Sequence, residues 1–308
     1  MSAFLKLSIR NILYTLLFLS LCIRMVMSYR EPISVEEDFK PFEPNQNVAI
    51  FAAYSEDGTV PDYVISYLKA LKEIAPNIIY ITDNPIKRWD IEKISPYIMR
   101  LEAKRHGEYD WGSYKRGYNW LDSHNLLSKT KKLIFANDSA LLVAKSLVPV
   151  MYDMTYDIDF YGITANTDGT YHLQSYFLAF NSKVFMHPEF HSYLNSVKKQ
   201  KDGLTVAARY EVPLTPFLHD LGFKSATYIP YEQLSDLALN DKNCYPLTML
   251  SKYHAPFLKM RTFTNRLNVQ EPRRLVFNWL KKNNREAYKE LKKHLKHIKS
   301  PYLEEDKS

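Results

Sequence analysis

Residues 48–83, VAIFAAYSEDGTVPDYVISYLKALKEIAPNIIYITD, decide the fold. Val48 to Tyr54 is a continuous apolar run that stops at Ser55-Glu56-Asp57-Gly58. Such a run is a strand buried on both faces that ends in a loop. Pro61 suits a first helical turn, and Val64, Tyr67, Leu68, Leu71, Ile74 and Ala75 recur on one helical face. Asn77 to Asp83 is then a second buried strand. Further along, Ile98 to Ala103 reads as a weaker strand, Asp110 to Leu121 as a helix, and Lys132 to Ala136 as a strand ending at Asn137-Asp138-Ser139. Asp157 to Thr164, Leu173 to Phe180 and Ser225 to Ile229 read as strands, and Glu189 to Lys199 and Val212 to Leu221 as helices. This alternation predicts an α/β fold, a mostly parallel sheet with helices on both faces. Ligands of such sheets sit beyond the carboxyl ends of the strands. Those ends carry Tyr54-Ser55-Glu56-Asp57, Thr82-Asp83-Asn84 and Asn137-Asp138-Ser139.

Composition narrows the function. The 308 residues can bury a core without disulfides or metal staples. With 46% hydrophobic and 24% charged residues, the chain is neither disordered, collagen-like nor a disulfide scaffold. The 8 glycines form no G-x-G-x-x-G and no G-x-x-x-x-G-K-[ST], so the usual dinucleotide and P-loop fingerprints are absent. There is no G-x-S-x-G, H-E-x-x-H or C-x-x-C, hence no signal for a serine hydrolase, zinc protease or dithiol site. Aromatics are abundant, 23 Tyr, 16 Phe and 4 Trp, and suit both a core and a sugar-binding cleft. The two cysteines, Cys22 and Cys244, do not suggest a disulfide, since Cys22 lies in an apolar run.

The net charge of +7 is concentrated near the C-terminus, where residues 252–299 hold fourteen Lys/Arg against three Asp/Glu. Asn284 to Lys299 reads as a basic amphipathic helix with Ala287, Leu291, Leu295 and Ile298 on one stripe. It could lie on anionic lipid or pack that stripe on the domain. No reader helix, zinc finger or RNP motif accompanies the charge, so nucleic acid is not an expected partner. At the other end, Ile12 to Ile23 (ILYTLLFLSLCI) is apolar between basic residues, Lys6 and Arg10 before, Arg24 and Arg30 after. It falls short of the ~20 residues that span a bilayer comfortably. An interfacial helix, a span, a cleaved signal and a core helix all remain open. The expected organisation is an apolar membrane-associating helix (1–30), a Pro- and acid-rich linker (31–47), the α/β domain (48–235) and a basic helical C-terminal region (236–308).

Several patterns could carry chemistry. Tyr109-Asp110-Trp111-Gly112-Ser113-Tyr114-Lys115-Arg116-Gly117 places a carboxylate, a hydroxyl and two cations at a helix start. It could hold a phosphate, or be an Asp N-cap with solvated cations. Asn137-Asp138-Ser139 could hold Mg²⁺ or Mn²⁺ together with a diphosphate, and Asp157-x-Asp159 is a rival metal pair. His172, Gln174 and Tyr176 alternate on a predicted strand and would share one face, suited to sugar hydroxyls or to an ordinary half-buried strand. Glu211 before the Val212 helix could be a general base or an acid favoured by the helix dipole.

VAIFAAYSEDGTVPDYVISYLKAL, YDWGSYKRGYNWL, LIFANDSALL, DIDFYGIT, HLQSYFLAFNSKVF and YEVPLTPFLHDLGF, in this order, resemble the rhamnan synthesis F family of bacterial polysaccharide glycosyltransferases. The resemblance covers Val48 to Pro230, about 60% of the chain, and leaves the N-terminal apolar segment and the basic C-terminal region outside. It implies a GT-A-like glycosyltransferase domain taking a nucleotide-sugar, with dTDP-rhamnose as donor and a lipid-linked surface polysaccharide or O-antigen as acceptor. On this analogy Tyr54 and Asp83 flank the base and ribose, and Asp110, Ser113 and Lys115 face the donor. Asn137-Asp138-Ser139 stands where a D-x-D is usual, one acid instead of two, with Asp138 as the metal ligand. Asp159, His172, Gln174 and Tyr176 line the sugar or acceptor cleft. Glu211 is the base of an inverting displacement, with Asp138 (through a metal, if present) and Lys115 offsetting charge on the departing diphosphate. The implied location is the bacterial inner membrane, with the domain on the cytoplasmic face. The competing readings are a membrane-associated glycan-binding protein without turnover and a transferase using UDP- or GDP-sugars.

Overall fold

The computed structural model describes residues 11–12, 14–23, 29, 31–152, 157–238, 241–263 and 268–306. The chain enters through β1 (Pro32–Ile33) and β2 (Val35–Asp38), then β3 (Gln46–Ala53), helix α1 (Asp62–Ile74), β4 (Asn77–Thr82), β5 (Ile86–Lys87) and β6 (Arg100–Ala103). Helix α2 (Tyr109–Ser123) leads to β7 (Thr130–Asn137) and β8 (Ala140–Leu142). Strands β9 (Phe160–Gly162), β10 (Ala165–Asn166), β11 (His172–Leu173) and β12 (Phe177–Asn181) follow, then helices α3 (Pro188–Asn195) and α4 (Leu214–Asp220) and strand β13 (Ser225–Thr227). Strand β14 (Phe257–Lys259) and helices α5 (Arg273–Asn283) and α6 (Arg285–His297) complete the fold.

One sheet of eight strands, in the order β13-β9-β12-β7-β3-β4-β6-β2, organises the molecule. Strands β7, β3, β4 and β6 are parallel neighbours. The period-two alternation of β3 sends successive side chains to opposite faces. Val48, Ile50 and Ala52 pack with Trp111, Tyr114 and Tyr118 of α2. Ala49, Phe51 and Ala53 pack with Tyr63, Tyr67 and Leu71 of α1 on the other face. The result is a mixed α/β architecture, a large mostly parallel sheet with helices on both sides. Gly117 marks how closely α2 approaches β3, since a Cβ there would stand 2.7 Å from the Ile50 side chain.

Three expectations need correction. Residues 31–47 are not simply a linker, because β2 is the antiparallel edge strand beside β6. Its Glu36 and Asp38 sit 3.0 and 2.7 Å from the Arg100 guanidinium, and charges of this kind suit an edge. The run Leu173 to Phe180 is not one strand, since β11 ends at Leu173 and β12 begins at Phe177 after a turn. β12 also runs antiparallel to both β7 and β9, so the sheet is mixed on this side.

The basic C-terminal helix lays its apolar stripe on the body. Ala287, Leu291 and Leu295 are buried in the same core as α1, and Lys293 pairs with Asp62 at 2.5 Å. At the N-terminus, residues 14–23 are helical with Tyr14, Leu16, Leu17, Phe18, Leu19, Leu21 and Ile23 exposed. The basic flanks Lys6, Arg10, Arg24 and Arg30 lie outside the described residues. Among the described residues, no helix is long and apolar enough to cross a membrane.

Candidate active site at the carboxyl ends of the strands

Strands β3 and β7 end side by side, and Asp138 ties the two ends together. Its backbone N–H donates to the Ala52 carbonyl at 3.2 Å, and its Oδ2 accepts the Tyr54 backbone N–H at 2.8 Å. Tyr63 of α1 donates its hydroxyl to the Asp138 carbonyl at 2.9 Å. Asn137 is buried and fully engaged. Its Nδ2 donates to Asp110 Oδ2 and to the Tyr114 hydroxyl oxygen, both at 3.2 Å. Its Oδ1 accepts from the Ser139 N–H at 3.1 Å and the Ser139 hydroxyl at 2.6 Å. Asp110 reaches this point because Tyr109 takes a left-handed backbone, φ 59°, where the chain turns into α2. Strained backbone of this kind is common where a side chain must be aimed.

A second wall supplies Glu211. It ends a π-helical turn, Ala207–Glu211, in which the Val212 N–H reaches back to the Ala207 carbonyl at 2.9 Å. Single π-helical turns of this kind are frequent at functional sites. Glu211 accepts the Ser175 N–H at 3.2 Å and the Ser175 hydroxyl at 2.9 Å. The Ser175 carbonyl accepts the Tyr114 hydroxyl at 3.0 Å. Glu211, Ser175, Tyr114, Asn137 and Asp110 thus form one continuous hydrogen-bonded chain between the two walls.

Lys259 completes the crevice from a distant part of the sequence. Strand β14 pairs with β8, with Lys259 opposite Ala140. Its Nζ donates to Ser139 Oγ at 2.9 Å and lies 4.3 Å from the centre of the Tyr176 ring. Arg261, two residues on, pairs with Asp241. Loss of water raises the neighbouring acids: Asp138 is pushed up to about 7 and Asp110, with the Glu211 charge adding to the burial, to about 6. Burial, then Arg261, pushes Lys259 down to about 8.

Of the residues expected in the site, Tyr54, Asp110, Asn137, Asp138, Ser139, Tyr176 and Glu211 are joined by these contacts at the strand ends, Tyr54 through its backbone N–H. Asp83 stands at its rim, where Oδ1 accepts the His106 and Gly107 N–H groups at 2.6 and 2.7 Å and fastens the loop before α2. Arg105 of that loop lies 5.3 Å from the Tyr54 ring centre. Ser113 does not face the crevice. It is buried, with its hydroxyl 3.1 Å from His106 Nε2. His106 Nδ1 accepts the Glu108 N–H at 3.1 Å, which assigns the proton to Nε2, and burial pushes the ring down to about 4. Lys115 is also spent elsewhere, on Glu108 and the Val197 carbonyl, both at 2.8 Å.

His172, Gln174 and Tyr176 do not share a strand face, because the strand stops at Leu173. His172 Nδ1 lies 2.8 Å from the Thr170 carbonyl in the β10–β11 hairpin. Gln174 Oε1 accepts from the Thr164 hydroxyl and Asn243 Nδ2 at 2.8 and 2.9 Å. Tyr176 is tied to Thr164 at 2.9 Å. Asp159 lies at the opposite end of the sheet, before the first residue of β9, with the Lys224 N–H on its Oδ2 at 3.0 Å. Among the described residues, no three His, Cys, Asp or Glu side chains gather as a metal site. The Asn137-Asp138-Ser139 donors by themselves do not fit Mg²⁺ or Mn²⁺: one carboxylate with an oxygen already engaged, two neutral side chains already engaged, and an ammonium alongside.

The fold and the strand-end cluster together define a mixed α/β chain with its polar cluster at the carboxyl ends of a mostly parallel sheet. A family model described as rhamnan synthesis protein F matches residues 78–305, and the chain belongs to that family. The match begins later than the resemblance read from the sequence and runs on through the basic C-terminal region, which that reading left outside. An uncharacterized protein, y4gN, of Sinorhizobium fredii (strain NBRC 101917 / NGR234) is 25% identical over 207 residues, 65% of this chain and 53% of that protein. The chain thus spans about half the length of the curated relative it matches. Among solved structures, the glycosyltransferase GlyE of Streptococcus pneumoniae TIGR4 is 10% identical with a TM-score of 0.45, over 83% of this chain and 64% of that one. The mannosyltransferase Ktr4p of S. cerevisiae is 10% identical with a TM-score of 0.35, over 59% and 67%.

Proposed function

We propose that this chain is a glycosyltransferase that moves rhamnose from a nucleoside-diphosphate donor, dTDP-rhamnose, to a lipid-linked surface glycan. The observation that carries the reading is the hydrogen-bonded chain from Asp110 through Asn137, Tyr114 and Ser175 to Glu211. It holds carboxylates from two walls around one crevice at the strand ends. The family description supports a role in polysaccharide synthesis and is the ground for choosing rhamnose.

In this mechanism the donor enters against Tyr54, Asp110 and Asp138. An acceptor hydroxyl oxygen attacks the anomeric carbon from the Glu211 side. The bond from that carbon to the diphosphate oxygen breaks, and the nucleoside diphosphate leaves. Glu211 takes the hydroxyl proton, and attack opposite the leaving group inverts the anomeric configuration. The exposed apolar helix at residues 14–23 supports an acceptor at a membrane surface, which we assign to the cytoplasmic face of a bacterial inner membrane.

Thermal stabilisation of the purified protein by dTDP, UDP and GDP tests the donor reading, because binding to the native state raises Tm by mass action. A selective shift with dTDP supports it. A shift with UDP or GDP alone would reassign the sugar. No shift with any of them would favour a glycan-binding protein without turnover.

A further inference from the structure

We propose that Lys259 binds the donor diphosphate, so that the chain itself provides the positive charge a divalent cation would otherwise bring to the strand ends. This rests on the donor-site reading above and adds to it the residue that holds the leaving group.

Position is the first argument. The β8–β14 pairing sets Lys259 opposite Ala140, the residue after Asn137-Asp138-Ser139. Its Nζ is 2.9 Å from the Oγ of Ser139, the last residue of that motif. The second argument is charge. Lys115 and Arg116 at the helix start both have Glu108 as a direct partner, and Arg261 has Asp241. Lys259 makes no salt bridge among the described residues. Its near contacts are a neutral hydroxyl and the face of the Tyr176 ring. A desolvated ammonium without a carboxylate at contact distance is costly, and an incoming diphosphate would give it one. Burial lowers its pKa only to about 8, so it is mainly charged near neutral pH. The third argument is the donor set already described: the ammonium is already hydrogen-bonded to Ser139, one of the three side chains a divalent cation would have to share.

Calorimetric titration of the full chain with dTDP, UDP and GDP, once in EDTA and once in Mn²⁺, tests this in wild type, Lys259→Met, Lys259→Gln and Lys259→Arg. One nucleotide is expected to bind the wild type equally well in EDTA. The Met and Gln variants should bind it about tenfold to hundredfold more weakly, the loss expected for a charge-assisted hydrogen bond, and Arg should stay within a few-fold of wild type. Lys259→Gln keeps a donor for Ser139 without the charge, so it carries the test if the Met variant does not fold. Wild-type affinity in both neutral variants would overturn the inference, leaving the donor site intact. Binding that appears only with Mn²⁺ would overturn it too. Absence of binding by every nucleotide to the wild type would overturn the donor-site reading, and this inference with it.

Discussion

The helix start at residues 109–117 and the strand end at residues 137–139 carry similar side chains, yet the fold uses them differently. At the helix start, Lys115 is bonded to Glu108 and Val197, and Ser113 to His106. Those groups hold a loop to a helix. At the strand end, Asp138 is left half-buried beside Asp110, and burial raises both acids towards neutrality. Satisfied polar groups build structure, whereas groups held at a cost in stability are candidates for chemistry. Asp159 extends the contrast. It sits at the far end of the same sheet, where the Lys183 ammonium lies 3.8 Å from its carboxylate.

This contrast predicts opposite behaviour in paired variants. Asp138→Asn should lower sugar transfer by ~100-fold, on the scale of misplacing the bound donor. The same variant should melt no lower than wild type at pH 8, since it removes a carboxylate that burial disfavours. A loss of Tm with full activity would break the contrast. Lys115→Met should do the reverse. It leaves the Val197 carbonyl without its donor and Glu108 with Arg116 alone, costing about 1–2 kcal/mol in denaturant unfolding, with nucleotide binding unchanged. Gly117→Ala sharpens the structural side, because a methyl 2.7 Å from Ile50 forces repacking between α2 and β3. A loss of about 1 kcal/mol is expected, again without a change in nucleotide affinity.

The smallest effect is the pH dependence. Asp138 and Asp110 rise in the folded state from 3.8 to about 7 and about 6. The folded protein therefore holds more protons than the unfolded chain between those values. Their contribution to stability is complete below about pH 4 and is lost as pH rises to about 7. Melting curves from pH 4 to 8 should show this decline, shallower in Asp138→Asn. A decline in Asp138→Asn as steep as in wild type would remove Asp138 as its source.

Strands β3, β4 and β7 were legible because central parallel strands are buried on both faces and read as unbroken apolar runs. Strand β2 was not, since an edge strand reading Val-Glu-Glu-Asp is indistinguishable from an acidic linker. The direction of β12 was also hidden, because alternation of side chains carries no orientation. Within the site, Asp110, Asp138 and Glu211 could be picked out from their places at a helix start, a strand end and before a helix. Lys259 could not. It stands 120 residues from Ser139 and reads as one cation in a basic C-terminal region. Its only local mark is the short apolar run Phe257-Leu258 that brings β14 to β8. Ser113 and Lys115 misled for the converse reason, since a motif shows which groups are near a helix start but not which neighbours already occupy them.

Turnover by Glu211→Gln tests the central claim most directly. Release of nucleoside diphosphate from dTDP-rhamnose, and from UDP- and GDP-sugars in parallel, would be followed with a lipid-linked glycan acceptor in wild type and variant. The account predicts turnover of one donor by the wild type, a loss of about 100-fold or more in the variant, and unchanged nucleotide binding. Near-normal turnover by Glu211→Gln, or no turnover of any donor by a wild type that binds the glycan, would contradict it.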